Sequence, residues 1–562
     1  MAEAEPTVPE GFWQRDVAHC PRPLSTLMAT AVLPLVGEAS RWWFAGVGAL
    51  PERLDWREIG GWTYLRRVDA AGTAARAAAA VTRGDEVLAE DLAGAGLRSW
   101  RQAWRPALEA RSRALRAIDR TRLPDDALAE HLAATVTHQS RALEVHFQVH
   151  AVITAALAEL RHTAREVLGD DNDVIRLLGG SAPALLEVPA ALDHLVRLAG
   201  REPVRALLDQ RLGADVEPPA GDPPARADLV ENPDVTAFLT ALDAYLERYG
   251  HRTPGYELIH PTAAEAPTTV LRAVHARLDA GSPTAVPVPS SRVLVSQEGP
   301  APVPDAVDGP ARVRLQRARA RAAAAYPLRE ESGPVTWTEP LALIRYAALE
   351  VGRRARSRGT LDSIEDVFWL DHDEIRALAS GMTVDRRVPA TRRHDATLAE
   401  HSTPPPLLGQ NPGPPRIDDL PNPARWLNEG MVWLVGRMLE PSRLAARAVV
   451  DRDVDGVAAA RGRATGTVRV VRHDRDLEEL RPGDVLVCPT FASAWTVVLS
   501  TVGALVTDSG GVLSHSAIMA REFGVPAVVA TGDASRVLID GQLVEVDGDA
   551  GLVRVTGSMA AP

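Results

Sequence analysis

Apolar residues recur at three- and four-residue spacing along most of the first 440 residues, and this pattern predicts amphipathic helices. Between residues 69 and 212, for example, Leu128, Leu132 and Leu143 fall on one helical face. Further helices are predicted over 233–249, 312–325 and 339–358. Three segments rich in proline and polar residues interrupt the pattern and are predicted to be flexible loops, at about 214–232, 281–310 and 380–424.

The pattern changes near residue 457, where short apolar runs of strand character replace the long helical periods. Strands are predicted over 464–471, 485–487, 504–506, 527–530, 543–546 and 552–555, with short helices between them. About one hundred residues of this kind suffice for a complete α/β domain. The predicted organisation is a large, mainly α-helical domain over 1–445, a hinge over 446–456 and a C-terminal α/β domain over 457–562.

The C-terminal domain contains a histidine at the predicted start of a helix. Ser514 is a good N-cap, residues 516–523 suit a two-turn helix, and His515 therefore lies at the helix N-terminus. The first N–H groups of a helix point outward, so they are suited to bind a phosphate carried on the imidazole. Gly510 and Gly511 allow the backbone to approach such a group closely, and Ser516 follows the histidine, so the candidate phosphate-binding residues are Gly510, Gly511, Ser514 and Ser516.

The residues around His515 alone leave a structural histidine open, since one that caps or packs at a helix start is common. The whole run from Thr507 to Val529, however, resembles the phosphohistidine swivelling domain of the phosphoenolpyruvate-utilising enzymes. This resemblance implies that His515 is phosphorylated and that the C-terminal domain swivels. Arg521 lies six residues after His515, about 120° away around the helix, and is expected to be structural.

A dense polar cluster follows the helix predicted over 233–249. His251, Arg252 and Glu257 lie within seven residues, and from the residues alone two interpretations are open: an acceptor-binding site with a base, or a loop with an internal Arg–Glu pair. A similar Gly-His-Arg sequence recurs in the substrate domains of the rifampin-phosphotransferase-like group of the family. The resemblance implies a pocket, with His251 or Glu257 as general base and Arg252 as a substrate-binding residue.

Two further segments resemble the same group. Arg329 and Glu330 are similar to an Arg-Glu pair that faces the acceptor in drug-phosphorylating relatives, although Gly333 stands where those relatives have a lysine. Trp495 and Thr496 end a loop that lies near the phosphohistidine in the family. For Trp495 a core position is an equally open interpretation. The resemblance implies that all four residues Arg329, Glu330, Trp495 and Thr496 contact substrate.

Composition excludes several other chemistries. Among 562 residues with a formal net charge of −12 there is no lysine, which excludes a Walker A or Schiff-base lysine. The acidic balance argues against nucleic acid or an anionic membrane as partner, and a cytoplasmic protein is expected because no long apolar run or signal-like N-terminus is present. The two cysteines form no metal or disulfide pattern, and the four histidines at helical offsets lack accompanying ligands, so no metal site is predicted: Cys20 and Cys488, and His138, His146, His150 and His162.

The family's multidomain enzymes phosphorylate their histidine with an ATP-grasp domain or a phosphoenolpyruvate-binding barrel, and neither pattern is visible in this sequence. The resemblance therefore implies a substrate-binding helical domain plus a phosphohistidine swivelling domain. A separate ATP-grasp protein would be the partner and would use ATP and Mg²⁺, with no cofactor bound by this chain alone. The expected function is transfer of a phosphoryl group to a small-molecule hydroxyl or carboxylate. Two alternatives stay open: a dehydratase that eliminates the phosphate, and a non-catalytic phosphocarrier or regulatory binding protein.

Overall fold

The computed structural model describes residues 9–69, 73–170, 174–178, 187–212, 232–280, 303, 307, 309–402, 404–439, 453–472, 474–491, 495, 498–499 and 501–558. The chain divides into two compact units. The first unit comprises residues 1–181, 256–260 and 300–434, and the second comprises 182–255, 261–299 and 435–562. Most residues of the loops predicted at 214–232 and 281–310, and most of the hinge predicted at 446–456, lie outside the described residues.

The described α-helices are α1 (Leu33–Val47), α2 (Thr73–Ala89), α3 (Leu92–Ser99), α4 (Arg105–Arg116), α5 (Asp125–Leu168), α6 (Val174–Leu177), α7 (Glu187–Ala199), α8 (Glu202–Leu212), α9 (Pro233–Tyr249), α10 (Thr268–Ala280), α11 (Gly309–Ala325), α12 (Leu328–Gly333), α13 (Glu339–Ser357), α14 (His372–Ala379), α15 (Arg387–Glu400), α16 (Ala424–Leu439), α17 (His515–Phe523) and α18 (Ala534–Val537). The strands are β1 (Trp13–Arg15), β2 (Pro51–Ile59), β3 (Trp62–Asp69), β4 (Leu407–Leu408), β5 (Asp453–Asp455), β6 (Val457–Ala460), β7 (Arg463–Val470), β8 (Val485–Cys488), β9 (Ala504–Thr507), β10 (Ala527–Val529), β11 (Gln542–Asp547) and β12 (Leu552–Ser558). No described helix combines the length and the apolar character that a membrane-spanning segment requires.

The first unit is built around α5, a helix of 44 residues. Every residue from Val149 to Ala158 is buried, as expected for a helix whose apolar residues surround its axis. Helices α1, α11 and α13 pack against it. The helix ends at Gly169, whose φ of +88° is a backbone conformation that glycine adopts without strain. The centre of this unit is therefore the middle of α5.

A small antiparallel sheet with strand order β2-β3-β1-β4 also belongs to the first unit. Gly60 and Gly61 join β2 to β3, and their φ values of +60° and +83° suit the tight turn of a hairpin. The guanidinium groups of Arg57 and Arg66 lie 5.7 and 4.7 Å from the centre of the Trp13 ring. The expectation of helices alone over the first 440 residues was therefore incomplete, because these strands carry charged residues where a simple alternation would be apolar.

Some predicted elements are confirmed and one loop is corrected. The helices predicted over 233–249, 312–325 and 339–358 correspond to α9, α11 and α13. Within the loop predicted over 380–424, however, residues 387–400 form α15. Ala, Arg, Leu and Glu dominate this segment and favour helix, while its proline, Pro389, lies in the first turn, where the missing N–H costs little.

The second unit contains helices α7 to α10 and the C-terminal sheet. The helices share one apolar core that includes Leu192, Phe238, Leu242 and Val274. The eight strands have the order β5-β12-β11-β7-β8-β9-β10-β6, and neighbours from β7 to β10 run parallel. Strands β8, β9 and β10 are buried along their whole length, which explains their continuous apolar sequence.

Each face of this sheet is covered. On one face α17 contributes Met519 and Phe523 to a core with Phe491 and Trp495. On the other face Ala534 and Leu538 pack against the valines of the sheet. Since β8, β9 and β10 are parallel, their carboxyl ends meet at one edge of the sheet, which is where ligands bind in open α/β sheets. The helix that begins with His515 starts from this edge.

The histidine His138 gives the first unit a pH-dependent stability. Its Nε2 lies 2.9 Å from Oγ of Ser112 on α4, and burial, with the charge of Arg111, lowers its pKa to about 4. Because the unfolded chain binds a proton near pH 6.5 and the folded chain does not, stability is lost as the pH falls from 6.5 toward 4. Between pH 7 and pH 5 the free energy of unfolding should fall by about 2 kcal/mol less in His138→Gln than in the unchanged protein. Urea denaturation at the two pH values measures this difference. Equal losses in both proteins would contradict this.

Candidate functional site

His515 is the first residue of α17, directly after the loop that follows β9. Ser514 caps this helix in an extended conformation, and its Oγ accepts a hydrogen bond from the backbone N–H of Ala517 at 3.3 Å. The imidazole of His515 is partly exposed and stacks on Phe491 with ring centres 6.0 Å apart. The helix start and the stacking ring hold the imidazole at the carboxyl edge of the sheet, as the sequence predicts.

The two glycines before His515 shape the turn. Gly510 has a φ of +99°, and an added Cβ would lie 2.8 Å from Oγ of Ser514. The carbonyl of Gly511 accepts a hydrogen bond from the backbone N–H of Ser514 at 2.8 Å. The hydroxyls of Ser514 and Ser516 lie 2.8 Å apart. The four residues predicted to bind phosphate therefore surround the start of one helix.

We expect Gly510→Ala to damage both the fold and the carrier histidine. The substitution forces a non-glycine residue to positive φ, at a cost of about 1–3 kcal/mol, and pushes Cβ into the capping serine. Gly524→Ala is the matched control, because Gly524 ends the same helix at a φ of +63° with nothing within 4 Å of its Cβ position. Gly510→Ala should lower the free energy of unfolding in urea and should also impair phosphorylation of His515. Equal stability of the two variants would contradict this account of the turn.

Hydroxyl groups that the sequence analysis did not single out line the same edge. Oγ1 of Thr490, after β8, lies 2.6 Å from Oγ of Ser509, after β9. Oγ1 of Thr507 donates to the carbonyl of Ser509 at 2.7 Å. Beside them Asp508 accepts hydrogen bonds from the backbone and hydroxyl of Ser535 at 2.9 and 2.5 Å, and burial raises its pKa. This network fixes the loop that precedes the histidine.

Three other positions near His515 have different outcomes. Arg521 donates to the carbonyl of Ala459 at 2.9 Å, which confirms the expected structural role. Trp495 is 6% exposed and belongs to the apolar core beside Phe491. The structure thus places Trp495 in the core, the second of its two interpretations, and its predicted substrate contact stays a prediction. Thr496 lies outside the described residues.

The first unit contains a separate cluster of polar and aromatic side chains. Asp16 and His19 form a pair within this cluster: both carboxylate oxygens lie 3.0 Å from Nδ1 of His19. The indole N–H of Trp56 also donates to Asp16 at 2.9 Å. Burial alone would raise the pKa of Asp16, but the charge of His19 and these hydrogen bonds outweigh it, so the pKa is lowered. A fixed carboxylate therefore orients the imidazole.

Two histidines on α5 extend this cluster. Nδ1 of His150 lies 2.9 Å from the carbonyl of His146, which can only accept, so Nδ1 of His150 bears the proton. Thr336 gives its hydroxyl proton to the carbonyl of Ser332, so Nδ1 of His146, 3.0 Å from that hydroxyl, is the donor there too. Burial lowers the pKa of His150 to about 4 and the pKa of His146 well below its usual value. Both imidazoles are neutral, with Nε2 as a hydrogen-bond acceptor.

Aromatic rings connect these groups. The ring of Tyr256 lies 5.6 Å from that of His19 and 4.8 Å from that of Trp337, and Trp337 lies 5.4 Å from His146. A π-helical turn over Pro334–Thr338 places Trp337 in this position, and such turns are frequent at functional sites. The buried indole N–H of Trp337 has no hydrogen-bond partner among the described residues. An unpaired buried donor costs about 1–3 kcal/mol, so a bound molecule with an acceptor oxygen would be favoured here.

Arg329 and Glu330, at the start of α12, belong to the same cluster. Nε of Arg329 lies 3.6 Å from Oε1 of Glu330, and the two side chains are 13% and 10% exposed. Burial, together with the charge of Arg329, lowers the pKa values of His146 and His150, and the same charge opposes the raised pKa of His19. The Arg-Glu pair predicted to face the acceptor is thus brought together with histidines and aromatic rings that the sequence analysis did not assign to a site.

Glu257 lies in the first unit and its carboxylate is fully engaged. Oε2 accepts from the backbone N–H of Ser25 at 2.8 Å, and Oε1 accepts from the Ser25 hydroxyl at 2.6 Å and the Leu258 N–H at 2.5 Å. His251 and Arg252 lie in the second unit. Nε2 of His251 is 3.5 Å from a carboxylate oxygen of Glu247, and the guanidinium of Arg252 covers the Tyr249 ring at 5.3 Å. The roles predicted for these three residues stay predictions.

Among the described residues, neither the surroundings of His515 nor the cluster around His19 resembles a metal site. Within the ranges that the structure describes, no group of three or more His, Cys, Asp or Glu side chains is arranged to hold a metal ion. Cys20 and Cys488 are buried free thiols. The expectation that this chain alone binds no cofactor is not tested by this observation and stays a prediction.

Two family models match segments that contain His515 and part of the cluster in the first unit. Residues 480–551 match the mobile domain of PEP-utilising enzymes, and residues 145–330 match the rifampicin phosphotransferase fourth domain. The first match contains His515, and the second contains His146, Tyr256, Arg329 and Glu330. The resemblance to the phosphoenolpyruvate-utilising family is therefore confirmed over these two segments.

Individual relatives extend the similarity. The chain is 28% identical to chondramide synthase of Chondromyces crocatus over 565 residues, which cover 96% of this chain and 14% of the synthase. It is 27% identical to rifampicin phosphotransferase of Bacillus subtilis over 213 residues, 38% of this chain and 21% of that enzyme. It is 46% identical to phosphoenolpyruvate synthase of Aeropyrum pernix over 101 residues, 18% of this chain and 12% of the synthase. The chain thus spans between 12% and 21% of the length of these three relatives.

Proposed function

We propose that this chain is a phosphotransferase subunit in which His515 carries a phosphoryl group to a small molecule bound in the first unit. The observation that carries the proposal is the position of His515, at the N-terminus of α17 after a glycine turn, inside a segment similar to the mobile domain of PEP-utilising enzymes. Relatives named rifampicin phosphotransferase and phosphoenolpyruvate synthase support a phosphotransferase.

The surroundings of His515 suit a phosphorylated imidazole. The helix N-terminus presents backbone N–H groups and the positive end of its dipole to an anion. Gly510 lets the backbone approach the hydroxyls of Ser514 and Ser516 closely, and the stacked Phe491 ring fixes the plane of the imidazole. A phosphohistidine formed here transfers its phosphoryl group readily, because a neutral imidazole is the leaving group.

The cluster of the first unit is the proposed acceptor site. Arg329 supplies positive charge for the loose transition state of phosphoryl transfer, in which charge spreads over three oxygens. The neutral Nε2 atoms of His146 and His150 accept hydrogen bonds from the acceptor, and Tyr256 and Trp337 offer aromatic surface. Such a site acts mainly by positioning the two reacting oxygens in line with phosphorus.

The phosphoryl donor is proposed to be a separate ATP-grasp protein that uses ATP and Mg²⁺. The absence of lysine from the whole sequence supports a separate donor, since nucleotide-binding loops commonly use lysine to bind phosphates. The alignment with chondramide synthase along 96% of the chain supports a natural product as the acceptor. We also propose a cytoplasmic location, because the ATP that the donor protein would use is available there.

A dehydratase is the second candidate. It is favoured by Gly333, which stands where drug-phosphorylating relatives are expected to have a lysine, and by the neutral imidazoles of the cluster. In that reaction a phosphorylated alcohol would lose its phosphate and a β-proton and form an alkene. A phosphocarrier without turnover would yield neither product.

The product of one turnover separates these functions. His515 is phosphorylated in the full chain with potassium phosphoramidate, its loading is verified by peptide mapping, and 2-phenylethanol is added as an aromatic alcohol. We expect 2-phenylethyl phosphate by ³¹P NMR and mass spectrometry. Styrene with free phosphate would establish the dehydratase instead, and a stable phosphohistidine with neither product would contradict both enzymatic proposals.

A further inference from the structure

We infer that His19, held by Asp16, is the general base of the acceptor site, and that the acceptor therefore reacts through a hydroxyl group and not through a carboxylate. This inference deepens the proposed function and rests on it. It assigns the base to a residue other than His251 and Glu257, whose predicted roles stay predictions; the carboxylate of Glu257 is occupied by hydrogen bonds from Ser25 and Leu258.

The carboxylate of Asp16 is a fixed orienting group. Its side chain is 1% exposed, and it receives hydrogen bonds from the Trp56 indole at 2.9 Å and the backbone N–H of His19 at 3.1 Å. With both oxygens 3.0 Å from Nδ1 of His19, it keeps the proton of neutral His19 on Nδ1. Nε2, on the opposite side of the ring, is then the basic nitrogen, as in other Asp–His pairs that activate hydroxyl groups.

His19 combines this fixed orientation with access to solvent. Its side chain is 37% exposed, while its ring edge contacts Tyr256 at 5.6 Å between centres. Burial lowers its pKa, but the charge and hydrogen bond of Asp16 outweigh burial and the nearby Arg329 charge, so the pKa is raised. His146 and His150 interact electrostatically with His19, while the neighbouring thiol of Cys20 interacts with Asp16 and Glu257. A pKa raised above the usual histidine value gives a stronger base than the neighbouring imidazoles.

No other group of the cluster suits the role as well. The pKa values of His146 and His150 are lowered by burial, which makes them weak bases. Burial raises the pKa of Tyr256 to about 12, so its hydroxyl keeps its proton at neutral pH. The oxygens of Glu257 already accept three short hydrogen bonds, including those from Ser25. Among these groups His19 alone is oriented, accessible and sufficiently basic.

The charge of the cluster selects the acceptor. Asp16 and Glu330 are acidic, and the principal cation Arg329 already pairs with Glu330 at 3.6 Å. A carboxylate acceptor carries its own negative charge, would be repelled here and has no proton for a base to remove. A neutral hydroxyl avoids this repulsion and requires the base that His19 provides. The aromatic rings of Tyr256 and Trp337 further suit an alcohol attached to an apolar or aromatic skeleton.

The transfer exchanges the P–N bond of the phosphohistidine for a P–O bond to the acceptor. The hydroxyl oxygen forms a bond to phosphorus while its proton passes to Nε2 of His19. The P–N bond to His515 breaks, and its electron pair stays on the imidazole of His515. The other ring nitrogen of His515 takes a proton from solvent before this bond breaks, so that neutral imidazole leaves, and the proton on His19 passes to solvent afterwards. The products are a phosphate monoester and neutral His515.

The test compares variants of the full chain loaded on His515 with potassium phosphoramidate. The probes are 2-phenylethanol and phenylacetate, which share one skeleton and differ in a hydroxyl against a carboxylate. We expect the alcohol alone to accelerate the loss of phosphohistidine, and His19→Gln to slow that reaction about 100-fold, within the usual effect of a general base. His162→Gln is the matched control, because His162 belongs to the same unit, is 31% exposed and lies 3.4 Å from the carboxylate of Glu166.

The pH dependence distinguishes a base from a structural histidine. The rate should rise with pH as His19 loses its proton, and Asp16→Asn should move this rise to lower pH because it removes the charge that raises the His19 pKa. Equal rates for His19→Gln and His162→Gln, or acceleration by phenylacetate, would overturn the inference, whereas failure of the loaded protein to react with 2-phenylethanol would overturn the proposed function. A protein that cannot be phosphorylated on His515 would likewise overturn the proposed function.

Discussion

Replacing His515 by alanine will leave a folded protein that cannot carry a phosphoryl group. His515 is partly exposed at the first position of α17, and the helix cap is supplied by Ser514, so the substitution removes the imidazole without opening the core. Transfer should fall by more than about 1,000-fold, as expected when a covalent nucleophile is removed. Intact mass after phosphoramidate treatment and the transfer assay with 2-phenylethanol measure both parts of the prediction.

The matched control for this variant is His162→Ala. His162 is also partly exposed and stacks on an aromatic ring, that of Trp426 at 5.4 Å, but it lies on α5 in the first unit. It should retain loading of His515 and transfer. If His515→Ala still transferred a phosphoryl group at the unchanged rate, the histidine would be structural and the carrier role would be wrong.

Replacing Arg329 by alanine will separate loading from transfer. The guanidinium is 13% exposed and lies in the proposed acceptor site, far along the chain from His515. We expect His515 to accept phosphate normally, while transfer to 2-phenylethanol falls about 1,000-fold, the lower end of the effect of an arginine on phosphoryl transfer. Arg329→Lys should recover only part of the rate, because lysine retains the charge without the planar fork.

Arg116→Ala is the control for this prediction. Arg116 is similarly buried, at 17% exposed, and pairs with Glu339 at 3.0 Å in the same unit, but it has no place in the cluster around His19. Both variants lose one buried ion pair, so thermal unfolding should shift in both. A parallel loss of transfer in both would mean that Arg329 acts through stability and not at the reacting phosphate.

The short-range sequence pattern predicted the strands and the helix around His515 well. The strands and the helix around His515 follow from apolar runs, a serine cap and glycines, all of which act within a few residues. The helix predicted over 233–249 is likewise observed, and the structure adds that the side chain of Asn232 caps its start. In these places short-range chemistry decides the backbone, so a single sequence suffices.

The acceptor cluster was only partly predictable, because it depends on long-range contacts. Asp16 and His19 meet Tyr256 and Trp337 through the fold, and no periodicity connects positions so far apart. The spacing Asp-x-x-His was the one local signal for the pair. His146 was considered only as a metal ligand, and its partner Thr336 depends on a π-helical turn that the sequence pattern does not reveal.

The sheet of the first unit shows a further limit of pattern alone. Strands β2 and β3 carry arginines that cover tryptophan rings, so charged residues occupy positions where an alternating pattern expects apolar ones. Helix α15 was missed for the opposite reason: the prolines that follow it led to a loop prediction for a segment whose own residues favour helix. In both cases tertiary packing or local composition outweighed the broader pattern.

The measurement that most directly tests the central claim is peptide mapping of the full chain, under alkaline conditions that preserve phosphoramidates, after incubation with ATP, Mg²⁺ and an ATP-grasp partner. The account predicts a single phosphoryl group, located on His515 and formed only when the partner is present. A phosphoryl group on any other residue, or its absence from His515 with every ATP-grasp partner and with phosphoenolpyruvate, would contradict it.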